Sequence, residues 1–255
     1  KAGADANVAN RYGVTPLMEA AASQPSAVAT LLLKAGANPN VSIGKGESIL
    51  MTAARTGNAP AVEALLNAGA DVDAREERRG QTALMMAAAR GHAAIVRLLV
   101  THGADKDARD LPVNRTLGRV IQAGGPPRPP AGGMTAMLFA AREGQAEAVA
   151  ALLDAGTDVN QTEGEGWTAV LRAIANTHYS LAARLIERGA NPNLANDMGL
   201  LPLYATVEMR LPDITSRPLR PERDEMTSLE LMDVLLKAGA NPNGRIEARQ
   251  NAVAL

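Results

Sequence analysis

One spacing constrains this chain more than any other property. Thr15-Pro16-Leu17-Met18 recurs as Ser48-Ile49-Leu50-Met51, Thr82-Ala83-Leu84-Met85, Thr135-Ala136-Met137-Leu138, Thr168-Ala169-Val170-Leu171 and Leu201-Pro202-Leu203-Tyr204, at successive offsets of 33, 34, 53, 33 and 33 residues. Each tetrad is followed by an apolar run that closes on Gly-Ala-Asn/Asp or Gly-Thr-Asp, as in Leu65-Leu66-Asn67-Ala68-Gly69-Ala70-Asp71. A self-similar period near 33 residues means units too small to bury an apolar face alone, which must lean on their neighbours. The expectation is a single array over residues 1–255, with no central kernel.

Within one unit the residues predict their own geometry. Over 13–45, Thr15 is a helix N-cap, Pro16 stands at the first helical position where its missing N–H is harmless, and Gly36 ends a second helix. Leu17, Ala20 and Ala21 are expected on the inner face of the first helix, and Val28, Leu31 and Leu32 on that of the second. Pro39 then favours extended chain leading into the next unit. Tight turns between paired helices are marked by Gly57-Asn58, Gly91-His92 and Gly144-Gln145.

Composition narrows the function classes. With 26 Lys and Arg against 27 Asp and Glu, the net charge of −1 provides no field to attract nucleic acid or an anionic membrane. One Trp, one Phe and three Tyr leave few platforms on which bases stack. The absence of cysteine excludes disulfides and thiol chemistry, and no apolar run is long enough to span a bilayer. No basic-apolar leader opens the visible chain; Lys1-Ala2-Gly3-Ala4-Asp5 matches a unit's closing run, so the reading expects a start in mid-repeat.

These recurring markers carry a resemblance. A Thr-Pro-Leu-Met opening, an Ala-Ala pair, a Gly-His or Gly-Asn turn and a Gly-Ala-Asp-Val-Asp or Gly-Ala-Asn-Pro-Asn close resemble the ankyrin-repeat family over nearly the whole chain. The resemblance implies an all-α solenoid of stacked helix-turn-helix units with hairpin finger loops: a partial unit near 1–12, units over 13–45, 46–79, 80–132, 133–165, 166–198 and 199–248, and a second partial unit at 249–255. The family's His at the fourth opening position is here Met18, Met51, Met85, Leu138, Leu171 or Tyr204, so apolar packing is expected in place of a polar buttress. The Gly13-Val14-Thr15-Pro16-Leu17-Met18 phrasing further resembles exported ankyrin proteins of environmental bacteria, which implies a periplasmic or exported location.

The resemblance also implies where a partner sits. The residue after each tetrad (Glu19, Thr52, Met86, Phe139, Arg172, Ala205) is expected to look over a concave face. Met86 and Phe139 would form an apolar centre flanked by Arg55, Arg90, Arg142 and Arg172, with packing beneath the finger loops as the alternative for the two apolar residues. Finger loops carrying Tyr12, Arg75, Arg78, Arg79 and Trp167 would form the edge, Trp167 serving equally as a packing staple beside its N-cap.

Two interruptions add candidate surface. Residues 110–133 enlarge one finger and end in the Pro- and Gly-rich run 124–133, which includes Arg128 and suits either a solvated tether or polyproline geometry. Residues 209–226 separate the two helices of the sixth unit and carry Arg217 and Arg220 among prolines, a solvated loop or a docking loop.

Motifs for chemistry were sought and are missing from the sequence. His92, His102 and His178 lack metal-ligand spacing, and neither a phosphate-binding Gly-x-x-x-x-Gly-Lys loop nor a Gly-x-Ser-x-Gly elbow occurs. Asp71 with Asp73 and Asp105 with Asp107 recur at one phase of successive units, which predicts hairpin hydrogen bonding instead of Ca²⁺ or acid-base work. The chain is therefore expected to be a non-catalytic scaffold for a protein partner, needing no cofactor, binding no metal and no nucleic acid. Two alternatives stand beside it: a regulatory or docking module of a larger enzyme or redox protein, and an array that assembles end to end.

Overall fold

The computed structural model describes residues 5–23, 27–112, 132–209 and 224–244. Paired helices follow one another along it: α1 (Pro16–Ala22), α2 (Ala27–Lys34), α3 (Ile49–Thr56), α4 (Ala59–Asn67), α5 (Ala83–Ala89), α6 (Ala93–Thr101), α7 (Ala136–Arg142), α8 (Ala146–Asp154), α9 (Ala169–Ala175), α10 (Tyr179–Glu187), α11 (Pro202–Glu208) and α12 (Ser228–Lys237). Two compact units emerge, Lys1–Leu111 with Glu147–Thr157 and Pro112–Ala146 with Asp158–Leu255. In the first, α1, α3 and α5 form one row and α2, α4 and α6 another, each first helix packing on its own second helix. In the second, α7 packs on α9, α9 on α10 and α11, and α12 on both α10 and α11. No described helix is long and apolar enough to cross a membrane.

The first five opening tetrads work as the local rule requires, whereas the sixth opens on Leu201, which makes no side-chain capping bond. The backbone N–H of the tetrad's fourth residue donates to the hydroxyl of its first, at 3.4 Å for Met18 to Thr15, 3.2 Å for Met51 to Ser48 and 3.2 Å for Leu171 to Thr168. The third and fourth tetrad residues carry the core: Leu17, Met18, Leu50, Met51, Leu84, Met85, Met137, Leu138, Val170 and Leu171 are all buried. Each such side chain contributes roughly 1.5–3 kcal/mol by leaving water. The Ala-Ala pairs at 20–21, 53–54, 87–88 and 140–141 are buried too, and their small size lets helices approach closely.

Two expectations need correction. Met18 and Met51 do pack in the core, yet they are also hydrogen-bond acceptors: the N–H of Thr15 and of Ser48 each donates to the methionine Sδ at 3.4 Å. A thioether is a weak acceptor, but it can fill the reciprocal half of a capping box. In α2 the inner face is Ala29 and not Val28 or Leu31, the latter being 66% exposed. Their counterparts show why: Val62 and Leu65, and Val96 and Leu99, are the buried i, i+3 pairs of α4 and α6, which puts Ala29 and Leu32 in the inward register.

The turn between paired helices shows why glycine recurs there. Gly57 and Gly144 have φ of +80° and +73°, a left-handed conformation that side chains resist. Each also underlies an imidazole of the following unit. A Cβ on Gly57 would lie 2.8 Å from the His92 ring, and one on Gly144 2.6 Å from that of His178. His92 Nε2 reaches Arg55 O at 3.3 Å. Thr177 occupies the same position one period after Gly144 and is the non-glycine residue with positive φ among those described, at +64°.

Fingers between units are tied to one another by a ladder of Asn and Asp side chains. Asn40 Oδ1 accepts from Asp71 N–H at 2.8 Å, and its amide donates to Gly69 O at 3.1 Å. Asn7 does the same toward Asn38 and Gly36, and Asn193 toward Asn241 and Gly239. Asp73 accepts from Asp105 N–H at 2.9 Å, but a carboxylate has no N–H to give the neighbouring carbonyl. Asp71 and Asp105 also accept from the N–H two residues on, at 3.1 and 3.0 Å. This is the hairpin hydrogen bonding that the phase of these carboxylates predicts. One finger pairs as a short hairpin, β1 (Ser42–Ile43) against β2 (Glu47–Ser48), and Thr162 bridges Thr168 in another.

The long connection in the sixth unit returns on a specific contact. Asp224 takes the N–H of Ser180 at 2.7 Å on one oxygen and the Ser180 hydroxyl on the other. His178, the N-cap of α10, makes no side-chain capping bond, so Asp224 supplies the missing acceptor from 44 residues away. Burial pushes the Asp224 carboxyl up, but hydrogen bonds from Ser180, Met226 and Glu225 outweigh it and hold the group below the usual carboxylate range.

Candidate functional site

In the first unit, the outward row of the first helices presents Glu19, Arg55 and Arg90 as exposed side chains, with Met86 half-buried. Arg55 is held by Glu47 of the adjoining hairpin strand, Nη2 to Oε1 2.8 Å, and the same carboxylate oxygen accepts from Thr52 Oγ1 at 3.0 Å. Both charged side chains are well exposed, so the pair orients Arg55 more than it stabilises the fold. Arg90 follows the last residue of α5 as its C-cap, where a cation suits the negative helix end.

The finger arginines of this unit divide by role. Arg75 Nη1 donates to Gly80 O at 3.2 Å and to Arg109 O at 2.8 Å, and Arg79 Nη2 pairs with the buried Asp110 at 2.9 Å. Both are struts between successive fingers, which corrects the expectation that they stand ready for a partner. Arg78 is exposed, at a turn whose amides donate to Glu76. Tyr12 is 69% exposed, with Arg11 over its ring at 4.7 Å.

The second unit presents a different arrangement. Phe139 is only 3% exposed, so it follows the packing alternative and is no apolar anchor for a partner. The ring is roofed by Arg142, whose guanidinium lies 5.1 Å from the ring centroid. Arg142 also pairs with Glu143 at 2.8 Å and points Nη1 at Met134 Sδ, 3.7 Å away. Arg172 lies 4.6 Å over the Trp167 ring and is ion-paired with Glu163, whose side chain is 2% exposed. Trp167 thus serves as a platform for an arginine. Cations held over aromatic faces gain attraction from the ring quadrupole and lose freedom of orientation.

Arg128, Arg217 and Arg220 lie outside the described residues, as does nearly all of both insertions. Among the described residues, no group of three or more His, Asp or Glu side chains is placed to hold a metal ion.

Sequence reasoning missed one recurrent position. Three residues after the ladder Asn or Asp stand Asn10, Glu76, Asp110, Glu163 and Asn196. Asn10 accepts from Tyr12 and Val14, Glu76 from Arg78, Arg79 and Gln81, and Asn196 from Met198 and Leu200. Each folds its finger tip by side-chain hydrogen bonds to nearby amides. Asp110 and Glu163 instead meet arginines. The signal was present, as a polar residue recurring in phase with the ladder.

Comparison with known proteins agrees with this geometry. A family model described as ankyrin repeats (3 copies) matches residues 35–110 and 120–210, and one described as ankyrin repeat matches residues 12–42. The chain is similar to the human ASB11 ankyrin repeat domain, with a TM-score of 0.69, 22% identity, and coverage of 91% of this chain and 87% of that one. Among curated proteins it is 38% identical over 98 residues to Ankyrin repeat and SAM domain-containing protein 6 of Danio rerio, covering 35% of this chain and 13% of that protein. It is 42% identical over 62 residues to the human Mitochondrial disaggregase, 24% of this chain and 9% of that protein. With mouse Protein phosphatase 1 regulatory subunit 27 it shares 36% identity over 70 residues, 28% of this chain and 46% of that protein. In each case the match spans less than half of the relative's length.

Proposed function

Because the chain belongs to the ankyrin-repeat family, we propose that it is a non-catalytic scaffold that holds a protein partner on the outward row of its first helices and on its finger tips. One observation carries this reading. The packing positions repeat almost unchanged, while the side chains that reach the surface beside them change chemical class from unit to unit: Glu19, Arg55, Met86 with Arg90, and Arg172, the equivalent Thr52, Phe139 and Ala205 being buried. Framework that is constant beside a surface that varies is how a repeat protein acquires a specific partner without altering its fold. Helices packed in rows also lose little conformational freedom on binding, so contact energy is not spent on ordering the scaffold.

Charge reversal tests it. A partner isolated on the intact protein and then purified should bind Arg90→Glu and Arg142→Glu, one substitution in each compact unit, with at least one affinity lowered by about tenfold. Unaltered circular dichroism would show that the helices persist. Equal affinity for both variants and the parent protein would remove the outward row as the binding surface.

A second reading is favoured by the lengths of the relatives. The match covers only 13% and 9% of two of these proteins, one of them named for a SAM domain beside its repeats, consistent with a docking module attached to other domains. The complete reading frame decides: a further domain with a recognisable catalytic constellation supports this reading, and further repeats alone end it.

A further inference from the structure

The second unit narrows the class of partner, and this inference rests on the scaffold reading above. α7 and α9 pack on each other, so Arg142 at the end of α7 and Arg172 in α9 belong to one surface. Each guanidinium lies over an aromatic ring, Phe139 beneath Arg142 and Trp167 beneath Arg172. A ring beneath the guanidinium restricts its orientations before anything binds. It leaves the in-plane N–H groups as the directions along which a ligand is met.

The two arginines differ in how firmly they are held. Glu163 is buried against Arg172, so that pair is part of the scaffold. Glu143 is the sequence neighbour of Arg142, and both side chains are substantially exposed, at 35% and 43%. An exposed pair of that kind contributes little and exchanges readily. Of the five N–H groups on Arg142, those engaged are on Nε and Nη2 toward Glu143 and on Nη1 toward a thioether, a poor acceptor. The outer edge therefore offers two donors in the spacing that suits one carboxylate.

We infer that this surface recognises a peptide segment of a protein partner through its Asp or Glu side chains. A carboxylate would be received bidentately on the outer edge of Arg142, while Glu143, held on the Nε and Nη2 edge of the same guanidinium, repels it as a neighbouring like charge. The near-neutral net charge of −1 leaves no long-range field to gather anions indiscriminately, so selection comes from the Arg142 fork.

The probe is a library of random twelve-residue peptides displayed on phage and panned on the intact protein. Selected sequences are then synthesised with their Asp and Glu residues either kept or changed to Asn and Gln, and measured by fluorescence anisotropy. Enrichment of Asp and Glu is expected, with a drop in affinity of about tenfold for the amide peptides and for Arg142→Gln. Glu143→Gln removes the neighbouring negative charge and should strengthen binding of the acidic peptides by about threefold, an effect no loss of structure produces. Selected peptides without acidic enrichment, equal binding of the amide peptides, or a weakened Glu143→Gln variant would each overturn the assignment. Binding by non-acidic peptides that is still lost in Arg142→Glu would leave the scaffold reading intact and remove only this one. Preference for phosphoserine over glutamate in the same positions would also overturn it, in favour of a phosphate-reading surface.

Discussion

Arg172→Ala is expected to destabilise the second unit by about 3 kcal/mol. Glu163 is nearly inaccessible to water, and Arg172 is its ion-pair partner, so truncation leaves a carboxylate in a low-dielectric site with no compensating charge. The stacking of the guanidinium over Trp167 is lost as well, adding the smaller cation-π contribution. Denaturant titration of the single variants and of the Glu163→Gln, Arg172→Ala double variant separates the two effects. The double variant should recover much of the loss, because the buried charge is then gone. A single variant within about 1 kcal/mol of the parent protein would show that the pair is merely superficial.

Gly144→Ala is the other large effect, at about 2 kcal/mol or more. The residue has φ of +73°, and an alanine Cβ would meet the ring of His178 at 2.6 Å, so backbone strain and steric conflict act together. The imidazole must shift from its place over the turn for the methyl group to be accommodated. Thr177→Gly probes the same position one period later in the opposite direction. Relief of a strained β-branched backbone, roughly 1–2 kcal/mol, opposes the loss of a small buried side chain, so the outcome should range from neutral to about 1 kcal/mol of gain. Thermal melts of both variants give the comparison. A Gly144→Ala protein as stable as its parent would mean that the turn relaxes without penalty.

Both predictions come from positions whose importance was only partly legible in the chain. The recurring Gly at 57, 91 and 144 announces a turn, because few residues other than glycine adopt left-handed backbone easily. That an imidazole from the next unit rests on it is a matter of stacking between units, and no local pattern contains that information. The inward register of α2 was misjudged for a related reason. Val28, Ala29, Leu31 and Leu32 are all apolar, so periodicity alone offers two faces, and the neighbouring helix selects the one through Ala29.

The candidate surface divides along the same line. The outward row was found from phase alone, and Arg55 and Arg90 are exposed there as expected. Arg75 and Arg79 were misread because their acceptors, Arg109 O and the Asp110 carboxylate, lie more than thirty residues ahead, on the next finger. Phase alone left Phe139 open between the outward face and packing, and burial beneath the long Arg142 side chain decides for packing.

By itself the sequence determined the period, the helix starts and stops, the hydrogen bonding within the fingers and hence the family, since each depends on residues close in the chain or on one spacing repeated in phase. N-cap hydroxyls, C-terminal glycines and paired Asn or Asp act over two to five residues, and repetition multiplies their signal. Only the tertiary structure decided which arginines are struts and which are presented, where the aromatic platforms lie, and that Asp224 caps a helix 44 residues away. Those depend on which side chains meet across neighbouring units, and such meetings are set by packing in three dimensions.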